Sequence, residues 1–432
     1  MAKKWRSNHR SPKTLALNCH ATINFLDKIE EARPLSHIEL NLRIAVKLSL
    51  HRHNAAIAAY WRQRAKIKDC VFGDENSAYM HICASTRHRK NQIKSLSYNG
   101  TTFSAHSDKE VVLLRFFKNL VGTSAPVSTS FDLENLLLPN ALNTTQAFDL
   151  LKPFTLEEIK GALWAMKDDA SPGPDGFGPS FFKTNWNLVK PDLLNLMNEF
   201  HAGTADLLRI NTAHIVLIPK KPDASTPENY RPVSLQNCSI KLTSKCLSLR
   251  AQPLVTQLIH YDQTGFVKGR GIAENFLHAT DIVQTCFKRR LPAIVLKLDF
   301  HKAFDSVSWT GLANILKAQG FPPLWCRWVQ SLNTTASSAV LLNGKPGPWF
   351  QCRQGLRQGD SLSPYLFILV GDVLKRLIIQ ASDRGLLSHP IDHDMPCTVL
   401  QYADDTLIVL PPTLLSFGLS KTSCSNFLRL PG

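Results

Sequence analysis

Apolar residues recur at helical spacing through residues 34–50 and again through 55–68, with Arg and Lys at many of the positions between them. That pattern predicts two basic helices whose charged faces suit either solvent or nucleic acid. A second basic cluster, Arg87, Arg89, Lys90 and Lys94, precedes a turn at Tyr98-Asn99-Gly100. Residues 121–150 are poor in charge and rich in Ser, Thr, Asn and Leu, and read as a linker. A new helix opens at Thr155: Thr155 and Glu158 have capping-box spacing, and Ile159, Leu163 and Met166 form its apolar stripe. It must end by the breakers Ser171-Pro172-Gly173-Pro174-Asp175-Gly176. Residues 212–218 and 293–300 read as strands and 303–319 as a helix. Residues 338–342 and 349–352 flank Asn343-Gly344 as a hairpin, and 398–410 read as two short strands around Ala403-Asp404-Asp405. Helices and strands mix without strict alternation, which predicts an α+β fold.

Charge changes the picture through its distribution. The 432 residues carry 50 Lys and Arg against 34 Asp and Glu, a net +16, and residues 1–94 hold 18 against 7. A basic arm ahead of a nearly neutral body suits a polyanionic partner. A 44% hydrophobic share with 19% charged residues excludes wholesale disorder. None of the ten Cys are paired at zinc-finger spacing, and no secretory signal opens the chain. Free thiols in an intracellular, reducing compartment are the expectation, and a nuclear location is compatible with it. The most apolar run, residues 365–370, is cut at Asp372, far short of the ~20 residues of a membrane span.

The chemistry concentrates in acidic residues. Tyr402-Ala403-Asp404-Asp405 sets two adjacent carboxylates at the tip of an apolar hairpin, where like charges repel. A divalent cation would relieve that repulsion, and hard oxygen ligands suit Mg²⁺. Asp299, leaving the strand at 293–298, supplies a third carboxylate at the sheet rim. Three such ligands suit two cations ~3.5–4 Å apart. Asp299 read structurally is a helix N-cap for the segment near His301, and Asp305 reads as structural.

Asp299-Phe300-His301-Lys302-Ala303-Phe304-Asp305 together with Tyr402-Ala403-Asp404-Asp405 resembles the reverse transcriptases of non-LTR (LINE-type) retrotransposons, plant-like in flavour. Further blocks follow in the order of that family. They are Ser171-Pro172-Gly173-Pro174-Asp175-Gly176-Phe177, Ile218-Pro219-Lys220-Lys221 and Asn229-Tyr230-Arg231-Pro232-Val233-Ser234-Leu235. Gln263-Thr264-Gly265-Phe266-Val267-Lys268-Gly269-Arg270 and the run from Gln354 to Pro364 complete the series.

The resemblance implies a right-hand polymerase: a basic helical connector over residues 1–120, a linker over 121–150, fingers over 151–290 and an incomplete palm over 291–432. It implies an RNA-directed DNA polymerase that adds dNTPs to a DNA primer on an RNA template, using two Mg²⁺ ions with Mn²⁺ as a substitute. Asp299, Asp404, Asp405 and the Phe300 backbone carbonyl would hold the metal. Lys220 and Arg231 would clamp the triphosphate, although Lys220 and Lys221 are equivalent in sequence terms. Phe304 would be a steric gate against the ribose 2′-hydroxyl, with ordinary packing as its other reading. Gln358 and Gly359 would lie beside the nucleotide sugar, and Gln263, Gly265 and Arg270 along the template. Only 22 residues follow Leu410, where the family continues into a thumb, so the resemblance implies a truncated palm. A catalytically dead relic that binds nucleic acid nonspecifically is the alternative expectation.

Overall fold

The computed structural model describes residues 12–65, 78–123, 132–392 and 395–412. The chain divides into two compact units, residues 1–92 and 93–432.

The first unit is helical among its described residues: α1 (Pro12–Ala32), α2 (His37–Ala65) and α3 (Ala78–Asn91). The two helices expected over 34–50 and 55–68 are continuous within α2, because no Gly or Pro interrupts residues 50–55; residues 66–68 lie outside the described residues. Arg43 ties α2 to α1 through Glu30 (2.7 Å) and Asp27. Leu26 is buried, whereas Ile38, Leu40, Leu42, Ile44 and Leu48 are exposed.

The second unit starts at Ile93, earlier than the boundary expected at 120. It opens with the hairpin of β1 (Leu96–Tyr98) and β2 (Thr101–Phe103), turned at Asn99 and Gly100, and continues into α4 (His106–Val121). Residues 132–150 are no bare linker. They fold into α5 (Leu133–Leu137) and α6 (Thr144–Leu150), and Leu136, Leu137, Leu142 and Leu150 are buried. Next come α7 (Leu156–Trp164), α8 (Pro179–Thr184) and α9 (Trp186–Ala202). The Thr155 hydroxyl caps α7 by accepting from the Glu158 N–H at 3.2 Å. The capping box is not closed, because the Glu158 carboxylate instead takes two 2.7 Å bonds from the Arg250 guanidinium.

The remaining elements are β3 (Thr212–Pro219), β4 (Tyr230–Gln236), α10 (Cys238–Leu258), α11 (Ile272–Lys288), β5 (Ile294–Leu298), α12 (Trp309–Ala318), α13 (Pro323–Thr334), β6 (Ser337–Leu342), β7 (Lys345–Gln351), α14 (Ser363–Asp383), β8 (Thr398–Tyr402) and β9 (Asp405–Leu410). Two sheets organise the unit, one ordered β4-β3-β6-β7 and the other β5-β9-β8. Alternation along β3 buries Ala213, Ile215 and Leu217, and Ile215 and Leu217 pack with Val112, Leu113 and Phe117 of α4. Leu374 and Ile378 of α14 pack against Val399, Ile408 and Leu410 of the smaller sheet. A helical core built around Trp325, Trp328, Phe154 and Phe200 completes the interior.

The β6–β7 hairpin turns at Asn343 (φ 50°) and Gly344 (φ 86°), as the dipeptide predicts. Its second strand starts at Lys345, earlier than expected, because Pro346 and Pro348 are tolerated on an edge strand. The helix expected over 303–319 is split. Residues 303–306 form a single 3₁₀ turn, and Ser308 caps α12 by accepting from the Gly311 N–H at 3.3 Å. The cause lies in residues 354–356: the Leu356 N–H takes the Phe304 carbonyl and the Gly355 N–H takes that of Val307, each at 2.7 Å. Those carbonyls are thereby removed from a continuous helix. Among the described residues no helix is long and apolar enough to cross a membrane.

Candidate active site

The β8–β9 hairpin closes on the pair Tyr402↔Asp405, leaving Ala403 and Asp404 as a two-residue turn. Such turns need positive φ, and Ala403 sits at φ 55°. For an L-residue that conformation costs about 1–2 kcal/mol. The fully buried Gln263 side chain meets this residue on both backbone groups. Its Oε1 accepts from the Ala403 N–H at 2.9 Å, and its Nε2 donates to the Ala403 carbonyl at 3.2 Å. Gly265 donates its N–H to the same Oε1 at 2.9 Å. A Cβ at Gly265 would stand 2.3 Å from the Ala403 nitrogen, so only glycine fits beside the turn.

These contacts place Gln263 and Gly265 inside the scaffold rather than along the template path expected from sequence. Arg270 differs from expectation in the same way. Its guanidinium donates to the carbonyls of His260 (2.6 Å), Gln263 (3.0 Å), Thr256 (3.0 Å) and Ile259 (3.3 Å). Four backbone acceptors thus engage its terminal nitrogens and fasten the loop.

Asp299 follows β5, whose last paired residue, Leu298, opposes Thr406 of β9. The chain then turns at Lys302, a left-handed residue with φ 53°. Asp299 and Asp404 line one open cleft of about 1550 Å³, together with Phe300, Phe304, Lys220, Arg231, Gln358 and Gly359. Asp405 is absent from that lining. Its carboxylate instead lies 3.2 Å from Lys297 Nζ, and both side chains are exposed. The structure thus brings together two of the three carboxylates, and no cluster of three metal-ligating side chains occurs among the described residues.

In the other sheet, Ile218↔Arg231 pairing sets the ends of β3 and β4 side by side. Lys220 lines the cleft and Lys221 does not, which separates two residues that sequence left equivalent. The Phe304 ring stacks on Phe367 (4.4 Å between centroids, 11°) and meets Phe266 edge-on at 6.4 Å. It is therefore both packed and cleft-lining. Gly359 holds φ 99°, and the Ser234 N–H donates to the Gln358 carbonyl at 2.8 Å, tying that loop to β4.

Asp305, read from sequence as structural, also borders the cleft. It is buried, and desolvation pushes its carboxyl up to about 6 against the opposing pull of a Gln358 hydrogen bond and of Lys302 and Lys220. Gln358 Nε2 donates to its Oδ1 at 3.2 Å, so Asp305 orients the residue expected beside the nucleotide sugar. No local feature of the sequence marked it.

The donor chemistry fits a hard divalent ion: Asp299 and Asp404, which line one cleft with Phe300, offer carboxylate oxygens. Lys220 and Arg231 supply positive charge to the same cleft.

Residues 218–412 match the family described as reverse transcriptase (RNA-dependent DNA polymerase). The chain is 32% identical over 257 residues to the Transposon TX1 uncharacterized 149 kDa protein of Xenopus laevis, covering 60% of this chain and 19% of that protein. It is 27% identical over 300 residues to the retrovirus-related Pol polyprotein from type-2 retrotransposable element R2DM of Drosophila melanogaster, covering 68% and 26%. With the corresponding protein of the type-1 element R2 of Popillia japonica it shares 29% over 288 residues, covering 65% and 38%. The matched regions thus span well under half of these relatives' own lengths. The motif order, the Asp299 and Asp404 carboxylates on one cleft and the family match agree: residues 218–412 form a reverse transcriptase domain, similar to the proteins of the TX1 and R2 retrotransposable elements.

Proposed function

We propose that the cleft adds deoxynucleotides to the 3′-hydroxyl of a DNA primer paired with an RNA template. The single observation that carries this is the shared lining: Asp299 and Asp404 from the β5-β9-β8 sheet, Lys220 and Arg231 from the ends of β3 and β4 in the other. Reverse transcriptases use divalent metal ions. Here Asp299, Asp404 and the Phe300 carbonyl would hold Mg²⁺ or Mn²⁺, in a two-ion arrangement. Bound there, the metal would supply a more acidic primer hydroxyl and neutralise the departing pyrophosphate.

Every other part of the task falls to the chain itself. Lys220 and Arg231 orient the triphosphate, Arg231 through the planar fork that matches phosphate oxygens. Phe304, fixed by its stack on Phe367, presents a ring edge where a ribose 2′-hydroxyl would collide. Gln358, held by Asp305, and Gly359 border the sugar. Asp405 has the lesser part, as the counter-charge of Lys297 and an outer ligand. In the right-hand description, β3 and β4 with α4 belong to the fingers and the β5-β9-β8 sheet to the palm. The basic first unit would add sequence-independent backbone contacts, weakening steeply with salt.

Purified full-length chain supplied with oligo(dT)-primed poly(rA), Mg²⁺ and dTTP is the test. Incorporation of dTMP that vanishes in Asp299→Asn supports the proposal. Salt-sensitive binding of the primer–template without incorporation would instead make the chain a noncatalytic nucleic-acid binder.

A further inference from the structure

We propose that Gln263 is a positioning residue for the catalytic turn: its side-chain amide clamps Ala403 and so aims the neighbouring Asp404 carboxylate into the cleft. The inference rests on the reading of Asp404 as a catalytic carboxylate.

Ala403 is buried at a hairpin tip, beyond the last strand pair, so neither its N–H nor its carbonyl has a ladder partner. Gln263 supplies both, the acceptor at 2.9 Å and the donor at 3.2 Å. A single primary amide carries the two functions at fixed spacing, much as a neighbouring strand would. The opposite amide orientation would set its NH₂ against the N–H groups of Ala403 and Gly265, and its oxygen against the Ala403 carbonyl. A left-handed alanine is therefore held from outside the hairpin, and the residue that follows it is Asp404.

The clamp has its own foundation. Residue 263 forms a parallel bridge to Gln401, flanked by Gln401 N–H to Asp262 carbonyl (3.1 Å) and Thr264 N–H to Gln401 carbonyl (3.0 Å). Asn275 Nδ2 donates to the same Asp262 and Gln401 carbonyls at 2.8 and 2.9 Å. Beneath them the buried Lys375 ammonium joins the Asp262 carboxylate (2.6 Å) to the Val399 carbonyl (2.9 Å). Segment 262–264 thus acts as a short extra strand along the outer edge of β8, and Gln263 reaches from it to the turn.

The test compares full-length wild type, Gln263→Ala, Ala403→Gly and the double variant. Two readouts are taken: single-turnover dTMP addition on oligo(dT)–poly(rA), and hydrogen exchange of the Ala403 amide. Gln263→Ala should accelerate that exchange at least tenfold and slow addition at least tenfold, with primer–template affinity unchanged within about twofold. Glycine relieves the left-handed conformation, so in the Ala403→Gly background removing Gln263 should slow addition less than about threefold. Gln263→Glu, isosteric but without the donor, guards against a misfolded alanine variant; it too should lose rate. Unchanged addition in Gln263→Ala overturns the proposal, as does an equal loss in the glycine background. Weakened primer–template binding at constant rate would overturn it in favour of a template contact. If wild type adds no dTMP, the polymerase reading fails, while the exchange result still decides whether the clamp exists.

Discussion

The two walls of the cleft are built on different principles. The cationic wall presents Lys220 and Arg231 on exposed strand ends, and neither makes an ion pair among the described residues. The carboxylate wall is braced from behind by Gln263, Asn275 and the buried Asp262–Lys375 pair. The contrast follows the chemistry. A phosphate chain can be met by long, adaptable side chains, whereas groups that organise a reacting hydroxyl must be held to fractions of an ångström. One wall is tolerant and the other is not.

Substitutions sharpen that contrast, and the largest effect is expected behind the carboxylate wall. Lys375→Met leaves the Asp262 carboxylate buried without its partner and should cost about 3–5 kcal/mol in urea unfolding. A cost under about 1 kcal/mol would show that the brace contributes no rigidity. On the other wall, Arg231→Ala should raise the KM for dTTP roughly tenfold or more, the loss of one charge-assisted contact. Folding stability and kcat should change little, and Lys221→Ala should leave the KM as it is. Equal effects at Lys220 and Lys221 would contradict the assignment of Lys220 to the cleft.

A smaller effect is expected at Asp305, which also borders the cleft. Its carboxyl is raised from 3.8 to about 6 by burial, so the folded chain holds the proton more tightly than the unfolded chain. That stabilising contribution is complete below about pH 4 and is lost as pH rises through about 6. Asp305→Asn removes the buried charge, so its stability relative to wild type should rise from pH 5 to pH 8, by up to about 2 kcal/mol. Thermal melts across that range read it directly, and a gain that shrinks with pH would reverse the sign of the argument.

Much of the carboxylate wall was legible from residue order alone. Two apolar strands around Ala403-Asp404-Asp405, a strand just before Asp299 and the Asn343-Gly344 turn all rest on local chemistry and are found close to where the pattern put them, with Asp405 opening β9 and β5 ending at Leu298. What stayed hidden depends on distant partners. Gln263 and Arg270 are polar residues in a loop; only the fold reveals that their groups are spent on Ala403 and on four carbonyls. Residues 303–319 read as one helix, yet residues 354–356 took two of its carbonyls. Residues 132–150 looked like a linker because leucines buried by tertiary contact carry no periodic sign in such short helices. Asp305 had no local feature to distinguish a solvent-facing carboxylate from one bonded to Gln358.

Asp404 and Asp405 carry the same side chain on consecutive positions, one lining the cleft and the other paired with Lys297. Single-nucleotide addition measured side by side in Asp404→Asn and Asp405→Asn therefore tests the central claim most directly. Asp404→Asn should lose at least about a thousandfold in rate, equivalent to about 4 kcal/mol of transition-state stabilisation. Asp405→Asn should stay within about tenfold of wild type, since an exposed ion pair contributes little. Equal losses, or a larger loss at Asp405, would contradict the cleft as the site of nucleotide transfer.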